Sequence, residues 1–129
     1  MSSDTPHAPV TTTAGADFLS LPGRPPKPRQ VGITHVMDKG MSLSAIDGML
    51  ETCADSIDIV KLGWGTSYVT RNLREKLALY GSAGIPVVLG GTFWEICFAQ
   101  QKLDDWRRWV GELGLRPVEG SGSTITLPR

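Results

Sequence analysis

The feature that most constrains this chain is a recurrence of β-branched apolar runs with helix-patterned segments between them. The runs Val31–Val36, Ile57–Val60, Ile85–Leu89 and Leu115–Val118 put strand centres near residues 33, 59, 87 and 117. From Ser42 to about Ala54, apolar residues at 43, 46, 50 and 53 form one helix face, and Ser42 or Ser44 can cap its start. Thr70 can cap a second helix that turns Leu73, Leu77 and Tyr80 to one side and closes at Gly81 or Gly84. A short helix is expected over Phe93–Gln101. A stronger one is expected from about Asp104 to Leu113, with Trp106, Trp109 or Val110, and Leu113 inward and Gly114 closing it. A strand every ~26–30 residues with a helix between is the βα unit of a parallel sheet, with right-handed crossovers.

Two parallel architectures meet this pattern, an open doubly wound sheet and a (β/α)8 TIM-type barrel. A full barrel needs roughly 250 residues, so four units are about half of one. A fourth strand with no following helix leaves part of a sheet face bare and an edge unpaired. The expectation is a truncated half barrel of about four βα units, with completion by self-association into a homo-oligomer as the alternative.

Residues 1–30 read differently from residues 31–129. Six of the nine prolines fall in this stretch, which ends in Pro22-Gly-Arg-Pro-Pro-Lys-Pro-Arg29. Proline fixes φ and removes a donor, so the segment is expected to be a flexible tail with a short anchor at Phe18, Leu19 and Leu21, or a PxxP ligand. With Lys+Arg 13 against Asp+Glu 13, the formal net charge is zero, which gives no electrostatic reason to expect nucleic acid or an anionic membrane as partner. A 40% hydrophobic, 20% charged composition fits a globular chain rather than a disordered one. No apolar run approaches a membrane span, and no secretory n- and h-region opens the sequence, so a cytoplasmic protein is expected. Cys53 and Cys97 form no CxxC motif and read as buried free thiols. His7 and His35 lack ligand spacing to either cysteine, which argues against zinc.

Parallel βα proteins bind ligands at the carboxyl ends of their strands. Here those positions hold Asp38-Lys39-Gly40 after the first strand and Lys61-Leu-Gly63-Trp64-Gly65-Thr66-Ser67 after the second. Gly90-Gly91-Thr92 follows the third, with Glu95 one turn on, and Glu119 follows the fourth. Lys61 continues a buried strand, where an ammonium needs a partner or an anion. Gly63, Thr66 and Ser67, and Gly90, Gly91 and Thr92, are either backbone cradles for an anion or ordinary tight turns. Asp38 and Glu119 suit Mg²⁺ as hard oxygen ligands, or serve as partners for Lys39 and Lys61. Glu95 is a rim residue or a solvated capping one. His35 reads as a satisfied core histidine, and Trp106 and Trp109 as helix-to-sheet packing. The rim as a whole suits a small anionic, phosphorylated substrate with a divalent metal.

The strings Gly32-Ile-Thr-His-Val-Met-Asp38-Lys39-Gly40 and Asp58-Ile-Val-Lys61-Leu-Gly-Trp-Gly-Thr-Ser67 resemble the phosphosulfolactate synthase family. So do Leu73-Arg-Glu-Lys76 and Gly84-Ile-Pro-Val, followed by Gly90-Gly-Thr-Phe-Trp-Glu95. The resemblance runs from about residue 31 to the end and implies the N-terminal half of a (β/α)8 barrel. It implies a lyase that adds sulfite to phosphoenolpyruvate with Mg²⁺, the first step of one route to coenzyme M. By matching motif, Lys61 and Lys39 would carry the chemistry. Gly63, Thr66, Ser67, Gly90, Gly91, Thr92 and Glu95 would bind substrate, and Asp38 and Glu119 would hold the metal. The family also includes plant heat-stress-associated proteins, so a non-catalytic interaction protein is the second reading. The chain departs from the family near its fourth strand, where Gly120 replaces an apolar residue and Gly122 an acidic one. The missing strands imply that this length alone is inactive.

Overall fold

A computed structural model describes residues 14–115. The chain divides into two compact units between Ile33 and Thr34. In the first, the described residues form turns and bends without helix or strand, as expected for a proline-rich stretch. Arg29 Nε donates to the Pro25 carbonyl at 2.9 Å, and Arg24 Nη2 to that of Gly32 at 3.3 Å. Phe18, Leu19 and Leu21 are exposed.

The second unit is mixed α/β. Its elements are β1 (His35–Asp38), α1 (Leu43–Cys53), a 3₁₀ turn (Ala54–Ser56), β2 (Ile59–Leu62), α2 (Thr66–Val69), α3 (Leu73–Ser82), β3 (Val87–Leu89), α4 (Gly91–Ala99) and α5 (Leu103–Glu112). The strands form one parallel sheet in the order β1-β2-β3. All three strands start later than the apolar runs that announce them. Gly32 has φ +65°, which breaks the first run. Ile57 and Ile85 are buried but precede the ladder, serving as core plugs at the strand entrances. The Asp58 carboxylate accepts the Thr34 N–H at 2.7 Å, and the Pro86 carbonyl accepts that of Val60 at 3.0 Å, so side-chain and pre-strand groups fasten the sheet before β pairing begins. The expected fourth strand extends outside the described residues.

Register and burial together define two faces. Val36, Val60 and Val87 form one row, and Asp38, Leu62 and Leu89 the next, on the face that meets the helices. Alternation sends Met37, Lys61 and Val88 to the opposite, less buried face. The core is built from Ile46 of α1, Leu73 and Tyr80 of α3, and Trp106 and Val110 of α5 against the buried sheet residues. Helix α1 lies beside α3, and α4 beside α5. A chain of rings, Tyr68 to Phe93 at 5.6 Å and Phe93 to Trp109 at 5.3 Å, ties α2, α4 and α5 together.

The helix ends follow local rules. Ser42 Oγ accepts the Ala45 N–H at 3.1 Å and caps α1 as expected. Thr70 does not cap α3. It ends the unexpected short helix α2, and its hydroxyl donates to the Thr66 carbonyl, while Asn72 occupies the N-cap of α3. Three helices close alike, each with a left-handed residue followed by a backbone bond five residues back: Ile85 to Tyr80 (3.0 Å), Lys102 to Cys97 (2.7 Å) and Leu115 to Val110 (3.1 Å). The left-handed positions are Gly84, Gln101 and Gly114.

Candidate functional site

The carboxyl edge of the sheet sorts the expected site residues by face. Lys39, Gly63 and Gly90 continue the open row of Met37, Lys61 and Val88 one step past the strands. The ladder extends with them: Gly63 N–H donates to the Asp38 carbonyl at 2.9 Å, and Gly90 N–H to that of Leu62 at 2.9 Å. Both glycines are buried and side by side. A Cβ on Gly90 would lie 3.0 Å from the Leu62 carbonyl, 3.3 Å from Gly63 Cα and 3.7 Å from Lys61 Cδ. A Cβ on Gly63 would strike Met37 Cγ and Sδ at 2.8 Å and lie 3.8 Å from Lys39 Cγ. The result is a backbone floor, covered over Gly63 by the Met37 side chain, with the stems of two lysines against it.

A tight turn shapes the wall. Trp64 (φ +55°) and Gly65 (φ +73°) are both left-handed, a costly geometry for a tryptophan. The Gly63 carbonyl accepts the Thr66 N–H at 3.1 Å and Thr66 Oγ1 at 2.8 Å. The turn holds the Trp64 indole outward, 69% exposed, with Lys39 Nζ 4.5 Å from its ring centroid. Thr92, in the first turn of α4, brings its methyl within 4.0 Å of where a Gly65 Cβ would stand. Lys39, Lys61, Gly63, Gly90 and Thr92 are therefore one neighbourhood. Gly91 is buried at the start of α4, whose N-cap, Gly90, supplies no side chain. Thr66 spends its hydroxyl on the turn. Ser67 is buried, and its Oγ has no hydrogen-bond partner.

Asp38 belongs to the other face. It is fully buried, and its carboxylate receives four donors: the N–H groups of Gly40 (2.8 Å) and Met41 (2.7 Å), Tyr80 Oη (2.8 Å) and Lys76 Nζ (3.1 Å to Oδ2). Burial pushes this carboxyl up, but the bonds from Met41, Gly40, Tyr80 and Lys76 outweigh it and hold the group below the usual carboxylate value. Burial, followed by the Asp38 charge and hydrogen bond, pushes the Tyr80 hydroxyl well above its ordinary value. The partner of Asp38 is thus Lys76, not Lys39 or Lys61. Sequence reasoning missed Lys76, although it lies three residues after Leu73 and four before Tyr80, on the buried stripe of α3. A charged residue at such a position signals a buried partner.

Three further expectations are corrected. His35 is exposed rather than a core histidine, because it shares the open face with Met37. Glu95 is fully buried and engaged within the fold rather than solvated. Cys53 and Cys97 are free but only half buried. Glu119 lies outside the described residues. Among the described residues, no three His, Cys, Asp or Glu side chains gather as a metal site. With Asp38 saturated by four donors, these residues do not fit a Mg²⁺ cradle. A largely apolar pocket of about 420 Å³, lined by Tyr68, Phe93, Cys97, Trp106 and Trp109 with Lys102 and Asp105, sits beside α4 and α5 and includes neither Lys39 nor Lys61. No helix among the described residues is long and apolar enough to cross a membrane.

A three-stranded parallel sheet with helices between its strands places the chain among the α/β proteins. Comparison with known proteins makes this specific. The family described as (2R)-phospho-3-sulfolactate synthase (ComA) matches residues 22–129, and the chain belongs to that family. It is 35% identical over 113 residues to the phosphosulfolactate synthase of Methanothermobacter thermautotrophicus, covering 86% of this chain and 43% of the relative. The corresponding enzyme of Bacillus subtilis is 35% identical over 112 residues (86% and 44%). That of Methanocaldococcus jannaschii is 39% identical over 92 residues (70% and 37%). The chain spans less than half the length of these curated relatives.

Proposed function

We propose that this chain provides the amino-terminal part of a phosphosulfolactate synthase site, in which the open sheet face is the interior of a (β/α)8 barrel. The observation that carries this reading is that Lys39 and Lys61 stand together against the Cβ-free backbone of Gly63 and Gly90, with the flexible Met37 side chain over Gly63. Backbone without a Cβ at these two positions lets a small ligand approach closely once Met37 turns aside, and two ammonium groups favour an anion such as phosphoenolpyruvate. Sulfite sulfur would attack the methylene carbon and form the C–S bond, while the C=C electron pair moves onto the substrate carboxylate. Lys61 and Lys39 would stabilise that charge as it grows. A proton must then reach the carbon bearing the phosphate, and we assign its donor to the part of the family's length that this chain does not span. Gly91 and Thr92 would contact the substrate at the start of α4. Glu95 and Ser67, both buried, would support that rim from within.

The test is titration of the chain with phosphoenolpyruvate, with and without Mg²⁺, followed by sulfite-dependent loss of phosphoenolpyruvate. Binding that perturbs Lys61, Gly63 and Gly90 supports the reading. Binding elsewhere, or none, overturns it. Turnover by an associated form would add self-completion of the barrel. Turnover by none would confine the chain to binding.

A further inference from the structure

We propose that Lys76 and Tyr80 are positioning residues for Lys39, acting through Asp38 from the opposite face of the sheet. The inference rests on the reading of Lys39 as part of the anion site, but its physical content stands on geometry alone. Asp38 and Lys39 are consecutive, so whatever fixes the Asp38 carboxylate also fixes the peptide that launches Lys39. That carboxylate is anchored from below by two side chains of α3, Lys76 at 3.1 Å and Tyr80 at 2.8 Å. On its other side it accepts the N–H groups of Gly40 and Met41, the two residues after Lys39. Lys39 is therefore bracketed by backbone held on one buried anion. Its own side chain is exposed and meets the Trp64 ring at 4.5 Å, a weak contact that cannot hold a long side chain without an ordered backbone beneath it.

An apolar pair would fill the same space, yet here the core accepts the desolvation of an ion pair and a phenol. An aliphatic residue at 38 could not bind the N–H groups of Gly40 and Met41, and the turn carrying Lys39 would lose its fastening. Only a buried acceptor joins the helix to that turn, and a buried carboxylate in turn needs Lys76 and Tyr80.

The contact between Lys39 and Trp64 gives a readout independent of catalysis. In the ¹⁵N-labelled chain, the Trp64 indole N–H resonance is identified by W64F, and K39M sets its position with the ammonium absent. Y80F, which removes one hydroxyl, and K76M are expected to move this resonance most of the way to its K39M position. The Trp94 and Trp109 resonances should stay in place, and Y80F added to K39M should shift Trp64 no further. If K76M does not fold, Y80F alone decides. A Trp64 resonance unmoved by Y80F, or unmoved by K39M itself, overturns the proposal. Phosphoenolpyruvate titration of the same variants separates the two readings. Wild-type binding by K39M removes Lys39 from the anion site, while a Trp64 shift in Y80F still establishes the positioning.

Discussion

Lys76 Nζ and Asp38 Oδ2 lie 3.1 Å apart with both side chains sealed from solvent, joining the middle of α3 to the last residue of β1. Removing Lys76 leaves the buried Asp38 charge without its counter-ion, though three donors remain, whereas neutralising both members removes the stranded charge. K76M is therefore expected to cost about 3–5 kcal/mol. The double variant D38N/K76M should lose less than the sum of its two singles, because the stranded charge is gone. Urea denaturation of the four proteins measures this, and simple additivity would mean that the pair does not interact.

The same network fixes the pH limits of stability. Asp38 has a folded pKa below its unfolded value, so its contribution is present above roughly pH 4 and is lost as acid protonates the folded carboxylate. Tyr80 has a raised folded pKa, so its contribution is complete below about pH 10 and declines as alkali ionises the folded phenol. The urea midpoint is expected to fall at both ends of a pH series. D38N should flatten the acid limb, and Y80F should reduce the alkaline one.

The two floor glycines differ in what surrounds them. A Cβ on Gly63 meets the flexible end of Met37, which can turn aside, while one on Gly90 meets the Leu62 carbonyl and Gly63 Cα, which cannot. G90A is expected to cost more than G63A, within the roughly 1–3 kcal/mol typical of overpacking. M37A should recover most of the loss in G63A. Thermal denaturation ranks them, and equal losses would mean that the backbone at Gly90 can yield.

K61M tests the anion reading at its centre. A charge-assisted contact contributes about 1.5–3 kcal/mol, so phosphoenolpyruvate affinity should fall roughly 10- to 100-fold with an unchanged circular dichroism spectrum. Calorimetric titration makes the measurement, and unchanged affinity would remove Lys61 from the site.

Gln101 closes α4 at φ +56°, where Gly84 and Gly114 close α3 and α5. Relief of left-handed strain in Q101G outweighs the added freedom of the unfolded chain, for a net gain of about 0.5 kcal/mol. A higher urea midpoint would show it.

Much of this architecture is legible in the sequence because its causes are local. Ser42 announces α1, Gly114 ends α5, and the spacing of Trp106 and Val110 marks the buried stripe of α5. Strand limits are less legible, because Ile57 and Ile85 are apolar for core burial and not for ladder pairing. Within the site, the gathering of Lys39, Lys61 and the glycines follows from their shared position after parallel strands. The face each residue takes does not, since composition is silent on the parity of a strand's last residue. Asp38 looks like a rim carboxylate until the register turns it toward α3, and Lys76 looks like a solvated helix lysine until Asp38 lies beneath it.

The opposite facing of Asp38 and Lys39 makes the residue count of β1, and not only residue identity, decisive for the site. One residue inserted into or deleted from His35–Asp38 would exchange the two, pressing an ammonium into the helix layer and leaving the carboxylate on the open face. Any chimera that grafts β1 of this chain onto a longer relative must therefore be joined by counting back from the aspartate. Joined one residue out of phase, it would lose the core and the anion site at a single stroke.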